Sequence, residues 1–125
     1  MSESKLTAEH IRGVFERYCE LFTAGDVEGI VTLYAEAGSI EDPVGSPVHR
    51  GRDAIRAFYA ASAGSTSLEL EGRPRVAGNE GACGMLARPK GATVVIETLD
   101  TMIFDEDGLI REMRAYWSPE TIRPE

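Results

Sequence analysis

Apolar residues in the first part of the chain recur at intervals of three and four, the pattern of a helix with one buried face. The series follows Thr7, a suitable N-cap, and consists of Ile11, Val14, Phe15, Tyr18, Leu21 and Phe22. Gly25 comes next and can end a helix by taking up a left-handed conformation. The pattern therefore predicts a helix from Thr7 to Gly25 with Tyr18 directed inward.

Two more helices are predicted before residue 65. Asp26 can cap a short helix whose buried side consists of Val27, Ile30, Val31 and Tyr34. Residues 38–48 contain two prolines and two glycines, which favours a short strand at 39–42 that runs into a loop at Pro43. A third helix from about residue 52 to residue 61 should bury Ile55, Phe58 and Tyr59 before Gly64 ends it.

Beyond Gly64 the apolar positions alternate, as they do in strands. Four strands are predicted, at 66–76, 81–88, 92–104 and 109–117, and the turn at 105–108 makes the last two a hairpin. Three helices followed by an antiparallel sheet predict an α+β fold in which the sheet curves over the helices. The tail after Ser118 is expected to fray.

Composition limits both the architecture and the partners. A chain of 125 residues, 42% of them hydrophobic, fits one domain over residues 1–125. A net charge of −8 without a basic run argues against nucleic acid or an anionic membrane as a partner, and favours a neutral or cationic small molecule. The two cysteines and two histidines form neither a disulfide framework nor a metal motif. Without an export signal or an 18-residue apolar run, the protein is expected to be soluble and cytoplasmic.

Asp100 occupies an unusual position for a carboxylate. It lies in the apolar stretch 93–104, and strand alternation places it on one face with Val94, Ile96, Met102 and Phe104. Burial of an unpaired charge is so costly that such a group usually keeps its proton and becomes a hydrogen-bond donor. A neutral acid in a pocket suggests catalysis.

Several segments together resemble the bacterial Δ5-3-ketosteroid isomerases. The segments are RYCE at 17–20, AGDVEGIV at 24–31, EDPVGS at 41–46 and AIRAFY at 54–59, joined by TVV at 93–95, Asp100 and MRA at 113–115. The likeness extends from about Ile11 to Trp117 and is weaker between residues 63 and 92. It implies a cone-shaped fold like that of nuclear transport factor 2, and a homodimer.

The resemblance also implies roles for individual residues. Asp42 matches the general base of the family, and Tyr18 and Asp100 match the two donors of its oxyanion hole. Tyr34 and Tyr59 match tyrosines that extend a hydrogen-bond network behind the oxyanion hole in one branch. Trp117 matches an aromatic position of the steroid cavity. No cofactor, metal or nucleotide is implied, and the expected substrate is a steroid or a similar apolar ketone.

The chemistry explains why these residue types belong together. Moving a double bond from the β,γ to the α,β position of a ketone requires a base that removes one proton and returns it two carbons away. The intermediate is a dienolate, and fixed donors at its oxygen lower the barrier. Asp42, beside a loop, can stay ionised while Asp100 stays protonated. The pocket is expected to be apolar, with the lining Val44, Phe58, Val94, Ile96, Met102, Phe104, Met113 and Trp117.

Each assignment has an alternative. Asp42 before a proline can be a simple turn residue, inward tyrosines are often core residues, and Asp100 can pair with Arg114 or lie at a sheet edge. At the level of function, the alternatives are a polyketide cyclase and a non-enzymatic module that binds small apolar ligands. A dehydratase would require histidines in the pocket, and an epoxide hydrolase an Asp-Arg-Asp set that cannot be placed here.

Overall fold

Three helices and seven strands build the protein, whose computed structural model describes residues 5–125. The helices are α1 (Ala8–Ala24), α2 (Val27–Val31) and α3 (Arg52–Ser62). The strands are β1 (Tyr34–Glu41), β2 (His49–Arg50), β3 (Thr66–Ala77), β4 (Glu80–Pro89), β5 (Val94–Phe104), β6 (Ile110–Tyr116) and β7 (Ile122–Pro124). A short 3₁₀ helix, Pro119–Thr121, joins β6 to β7.

All seven strands form one sheet. The order is β2-β1-β6-β5-β4-β3, and β7 pairs with β5 outside this path. The pairing of β1 with β6 is parallel, and the other pairings are antiparallel. The helices pack against the inner face of the sheet, and the side chains between them form the hydrophobic core. The predicted α+β layout is confirmed, with the sheet mixed and mostly antiparallel.

The local signals at the helix ends act as expected. The Thr7 hydroxyl accepts a hydrogen bond from the backbone N–H of His10 at 3.0 Å, and Gly25 ends α1 with a φ of 74°. Asp26 caps α2 by accepting from the N–H of Gly29 at 2.9 Å. The expected positions of the first and third helices are confirmed.

Tyr34 does not belong to the second helix, as its spacing had suggested. Helix α2 ends at Val31, and Tyr34 is the first residue of β1, opposite Ile110 of β6. The reason is a backbone hydrogen bond of 2.8 Å from the N–H of Ile110 to the carbonyl of Leu33, which ties this segment to the sheet. The tyrosine is nevertheless fully buried.

The tail after Ser118 is ordered, which corrects the expectation that it frays. Strand β7 pairs with β5 and places Pro124 opposite Val94 and Ile122 opposite Ile96. The N–H of Glu125 donates to the carbonyl of Thr93 at 3.0 Å. No local hydrophobic pattern marks so short a strand, since its stability comes from pairing with β5. Within residues 5–125, no helix combines the length and the apolar character needed to cross a membrane.

Candidate functional site

A cavity of about 290 Å³ lies between the helices and the inner face of the sheet. Its apolar wall consists of Phe22, Phe58, Leu68, Ala87, Ile96, Ala115 and Trp117. Its polar lining consists of Tyr18, Asp42, Ser62, Ser65, Thr66, Thr98 and Asp100. Tyr18 and Asp100 are 2% and 4% exposed, whereas Ser65 is exposed. The two buried groups therefore mark the deep end of the cavity, and the hydroxyl-bearing residues Ser62, Ser65 and Thr66 lie toward its mouth.

Asp42 enters the cavity from the loop that follows β1. The indole Nε1–H of Trp117 donates to its Oδ1 at 2.7 Å. Burial raises the pKa of Asp42 above its usual value, and the hydrogen bond from Trp117 opposes that rise by stabilising the ionised form. The carboxylate is thus partly withdrawn from water while one of its oxygens is fixed.

A cluster on the outer face of the sheet holds the Asp42 loop in place. The Glu41 carboxylate accepts hydrogen bonds from the backbone N–H of Gly45 at 2.9 Å and from Arg114 Nε at 3.0 Å. The N–H of Val44 donates to the carbonyl of Ala115 at 2.8 Å. Arg114 therefore pairs with Glu41, and the alternative in which it pairs with Asp100 is wrong.

Three tyrosine hydroxyls form a buried chain that leads to the cavity. The hydroxyl of Tyr59 lies 2.9 Å from that of Tyr18 and 2.6 Å from that of Tyr34. The Tyr34 hydroxyl also lies 3.1 Å from Met113 Sδ, which can only accept. Burial raises the pKa of all three phenols well above the usual value, so they remain protonated donors. Among the three, Tyr18 lines the cavity.

Asp100 lies in the middle of β5, with Cys83 of β4 and Ala115 of β6 as its register neighbours. Burial, followed by the charge of Asp42, raises the pKa of Asp100 to about 7. The hydroxyl of Thr98 donates to Asp100 Oδ1 at 2.9 Å and has the opposite, weaker effect. Near neutral pH a carboxyl group with this pKa is protonated in a large fraction of the molecules. In that form it can donate a hydrogen bond to a ligand.

The structure brings the three expected catalytic residues, Tyr18, Asp42 and Asp100, to one cavity. Of the expected apolar lining, Phe58, Ile96 and Trp117 are also there. The other five expected lining residues are not among those that form the wall: Val44, Val94, Met102, Phe104 and Met113.

The absence of these five from the wall has a structural cause. Met102, Phe104 and Met113 are fully buried in the core. Helix α1 packs over the first two, through His10 on Phe104 and through Ile11 and Phe15 at Gly81, the register neighbour of Met102. The hydroxyls of Tyr34 and Tyr59 cover Met113. Val94 lies at the start of β5 beside Pro124, and Val44 is tied by its backbone to Ala115. Alternation identifies the face of a strand and cannot show how far a helix covers it.

Sequence reasoning assigned no role to Thr98 or to the hydroxyls at the mouth. The spacing of two between Thr98 and Asp100 places them on the same face of β5 and was the available signal. Among residues 5–125, no group of three or more histidine, cysteine, aspartate or glutamate side chains is arranged to hold a metal ion. The two carboxyl groups and the phenol of the cavity are groups that can exchange protons and donate or accept hydrogen bonds.

Comparison with known proteins shows that the chain is similar to a known domain family and to several enzymes. Residues 15–113 match the model of the SnoaL-like domain. The steroid Δ-isomerase of Nocardioides simplex is 39% identical over 111 residues, which cover 87% of this chain and 90% of that protein.

Relatives with another activity also match. The epoxide hydrolase LasB of Streptomyces lasalocidi is 33% identical across 87% of this chain, which spans only 48% of LasB. A solved structure of SalBIII, described as an epoxide hydrolase/cyclase-like enzyme with a role in pyran ring formation in the polyether salinomycin, superposes with a TM-score of 0.84. It is 27% identical, with 94% of this chain and 98% of that chain covered.

Proposed function

We propose that this chain, which belongs to the SnoaL-like domain family, is a steroid Δ-isomerase. Its relatives include both a steroid Δ-isomerase and epoxide hydrolase/cyclase-like enzymes, so the choice between the two reactions depends on the site. The reaction converts a 3-oxo-Δ5 steroid to the conjugated Δ4 isomer without a cofactor. The observation that carries the proposal is that Asp42, Tyr18 and Asp100 line one cavity. One acid there, Asp42, accepts a hydrogen bond from Trp117 that stabilises its ionised form, while the other, Asp100, is buried and has a raised pKa.

The proposed reaction uses each of these groups once. The Asp42 carboxylate removes a proton from C4, and the electron pair moves onto the ketone to give a dienolate. Tyr18 and protonated Asp100 donate hydrogen bonds to the dienolate oxygen, where the charge gathers. Protonated Asp42 then returns the proton to C6, which restores the ketone and leaves the base ionised. Substrate and product have the same composition, so no other reactant is needed.

The cavity wall supports an apolar, flat substrate. Phe22, Phe58 and Trp117 supply aromatic surface, and Leu68 and Ile96 supply aliphatic surface. Burial of such a substrate removes water from the site and thereby strengthens the hydrogen bonds from Tyr18 and Asp100. The 39% identity to a steroid Δ-isomerase over 90% of its length supports the same assignment.

Epoxide opening is the second candidate, and the likeness to LasB and SalBIII favours it. At its simplest that reaction needs an acid to protonate the epoxide oxygen and a base to activate water or a hydroxyl, which is less than the Asp-Arg-Asp set expected from the sequence. Protonated Asp100 and ionised Asp42 could fill these roles. The chain of three tyrosines favours the isomerase, because an oxyanion that persists as an intermediate benefits most from a second donor and its network.

We also propose that the partner of the chain is a second copy of itself. Leu99 and Tyr116 are 45% and 41% exposed, although both are large and apolar. They lie directly opposite each other on neighbouring strands and point away from Asp100 and Ala115, which face the cavity. A paired apolar patch on the outer face of a sheet fits an isologous interface.

The test of the proposed reaction follows the ultraviolet absorbance of the conjugated enone formed from a 3-oxo-Δ5 steroid. We expect rapid product formation by the wild type. In Asp42→Asn the rate should fall by roughly 10²- to 10⁴-fold, since the general base is removed. Asp53→Asn is the matched control, because Asp53 is an exposed residue of α3. Equal rates for Asp42→Asn and wild type would exclude Asp42 as the base.

The same preparations distinguish the second candidate. We would incubate them with an apolar epoxy alcohol and analyse the products by mass spectrometry and chromatography. Opening of the epoxide together with no isomerisation of the steroid would replace the first proposal by the second. Tight binding of the steroid with neither reaction would identify a ligand-binding module instead.

A further inference from the structure

Thr98 contacts the buried acid of the site directly. It lies two residues before Asp100 on β5, shares its face of the sheet, and borders the same cavity. Its hydroxyl donates to Asp100 Oδ1 at 2.9 Å. The second carboxyl oxygen, Oδ2, makes no hydrogen bond to any residue that the structure describes, and it is not among the fully buried atoms without a partner. The two oxygens of Asp100 therefore have different surroundings.

This asymmetry decides which oxygen can carry the proton. A carboxylic acid has one carbonyl oxygen, which accepts, and one hydroxyl, which donates. Thr98 Oγ1 makes no other hydrogen bond to a residue that the structure describes, so its single proton is used only when it donates to Oδ1. That oxygen is then the acceptor, and the acid proton belongs on Oδ2. We propose that Thr98 is a positioning residue that fixes the proton of Asp100 on Oδ2, the oxygen left to donate to a ligand in the cavity. The inference rests on the proposed role of Asp100 as a donor.

The same contact sets the balance between the two protonation states. A hydroxyl that donates to a carboxyl favours its ionised form, whereas burial and the charge of Asp42 favour the neutral one. The other titratable groups that interact with Asp100 are Tyr18 and Cys19 of α1, Tyr34 of β1 and Cys83 of β4. Burial raises the pKa of each of them, so they remain neutral around pH 7 and leave Asp42 and Thr98 as the opposing influences.

A positioning role predicts two separate effects of Thr98→Val, which keeps the shape of the side chain and removes its hydroxyl. The midpoint of the Asp100 titration should move to a higher pH, because a donor to the carboxylate is lost. Binding of a phenol below that midpoint should weaken by roughly three- to tenfold, because the carboxyl group loses the hydrogen bond that orients it and its proton is shared between both oxygens. A role in packing alone would weaken binding without moving the midpoint.

The experiment measures both effects on the purified protein. Carbon-13 labelling of aspartate allows the Asp100 carboxyl to be followed by NMR against pH, and its signal is assigned by its absence in Asp100→Asn. Binding of 2-naphthol, a fused-ring phenol, is measured by calorimetry at each pH. The variants are Thr98→Val and Thr98→Ser, with Thr101→Val as matched control because Thr101 belongs to the opposite face of β5.

We expect Thr98→Val to show the higher midpoint and the weaker binding, and Thr98→Ser and Thr101→Val to behave like wild type. An unchanged midpoint in Thr98→Val, or the same shift in Thr101→Val, would overturn the inference. If Thr98→Val does not fold, Thr98→Ala takes its place with the same expectation. The NMR titration needs no turnover, so failure of the isomerase assay and failure of this inference are separate results.

Discussion

Trp117 donates its indole N–H to Oδ1 of Asp42 at 2.7 Å, just beyond the ends of the parallel strands β1 and β6. One side chain therefore holds an oxygen of the proposed base and also forms part of the cavity wall. The bond opposes the effect of burial on the pKa of Asp42. The donor that favours the ionised form of the proposed base is itself neutral, so it brings no additional charge into the apolar cavity.

Trp117→Phe is expected to move the acidic limb of the kcat/KM profile to higher pH. The phenyl ring keeps an aromatic wall but cannot donate, so burial alone governs the pKa of Asp42, which rises further. Above the inflection the rate should fall by at most about tenfold, because one hydrogen bond of roughly 1.5 kcal/mol is lost while the carboxylate stays ionised. Steady-state kinetics between pH 4 and 9 measure both quantities. An unshifted limb would separate Trp117 from the titration of the base.

Substitutions along the tyrosine chain should lose activity in the order of their distance from the cavity. Tyr18→Phe removes a direct donor to the dienolate oxygen and is expected to lower kcat by roughly 10²- to 10³-fold. Tyr59→Phe leaves that donor in place and removes its support at 2.9 Å, so a loss of about tenfold or less is expected. Tyr34→Phe should have the smallest effect. Equal losses for Tyr34→Phe and Tyr18→Phe would contradict the expectation that the effect decreases with distance from the cavity. Thermal unfolding of each variant controls for a loss of stability.

Stability should depend on pH through Asp100. Its folded pKa of about 7 exceeds the usual value of 3.8, so the folded state binds more protons than the unfolded state between these two values. The contribution of Asp100 is fully present below about pH 4 and is lost as the pH rises through about 7. From pH 5 to pH 8 the free energy of unfolding should therefore fall by an amount on the order of 2 to 3 kcal/mol from this group.

Urea denaturation of wild type and Asp100→Asn at both pH values isolates that contribution. The amide does not titrate, so the decrease between pH 5 and pH 8 should be smaller in Asp100→Asn by the amount given above. Carboxyl groups that do not interact with Asp100, such as Glu41, titrate in both proteins and cancel in the comparison. The measured difference therefore belongs to Asp100 together with its coupling to Asp42. An identical pH dependence in the two proteins would show that Asp100 has an ordinary pKa.

Local sequence signals were sufficient for most of the fold. Thr7, Asp26 and Gly25 act at the helix ends through contacts within their own turns, and the strand alternation locates β3 to β6. Strands β2 and β7 have only two and three residues. They exist because a neighbouring strand offers unpaired backbone groups, and no periodicity can develop over so short a length. Tyr34 was placed in the wrong element for a related reason, since β1 begins where it can pair with β6.

The candidate site could be predicted in part. Tyr18, Asp42 and Asp100 were identified from the resemblance and from inward positions, and all three border the cavity. The extent of the cavity was not predictable, because it depends on how far α1 covers the sheet. A Cβ atom at Gly81 would come within 2.8 Å of Phe15 and 2.9 Å of Ile11, which shows how closely α1 packs on β4. Met102 and Phe104 lie in that covered region and are core residues.

We expect Leu99→Arg, a substitution on the outer face of the sheet, to convert the proposed dimer into a monomer. Leu99 is 45% exposed and lies opposite Tyr116. In an isologous interface the arginine would be placed against apolar surface of the partner. Near the two-fold axis it would also approach the same arginine of the partner, which repels it. We expect the dissociation constant to increase by roughly 30-fold or more, as for a residue near the centre of an interface. Sedimentation velocity over a range of concentrations measures it. Ala57→Arg adds the same charge at an exposed position of α3 and should leave the dimer intact. A wild type that remains monomeric at high micromolar concentration, or a Leu99→Arg variant that sediments like wild type, would rule out this face as the interface.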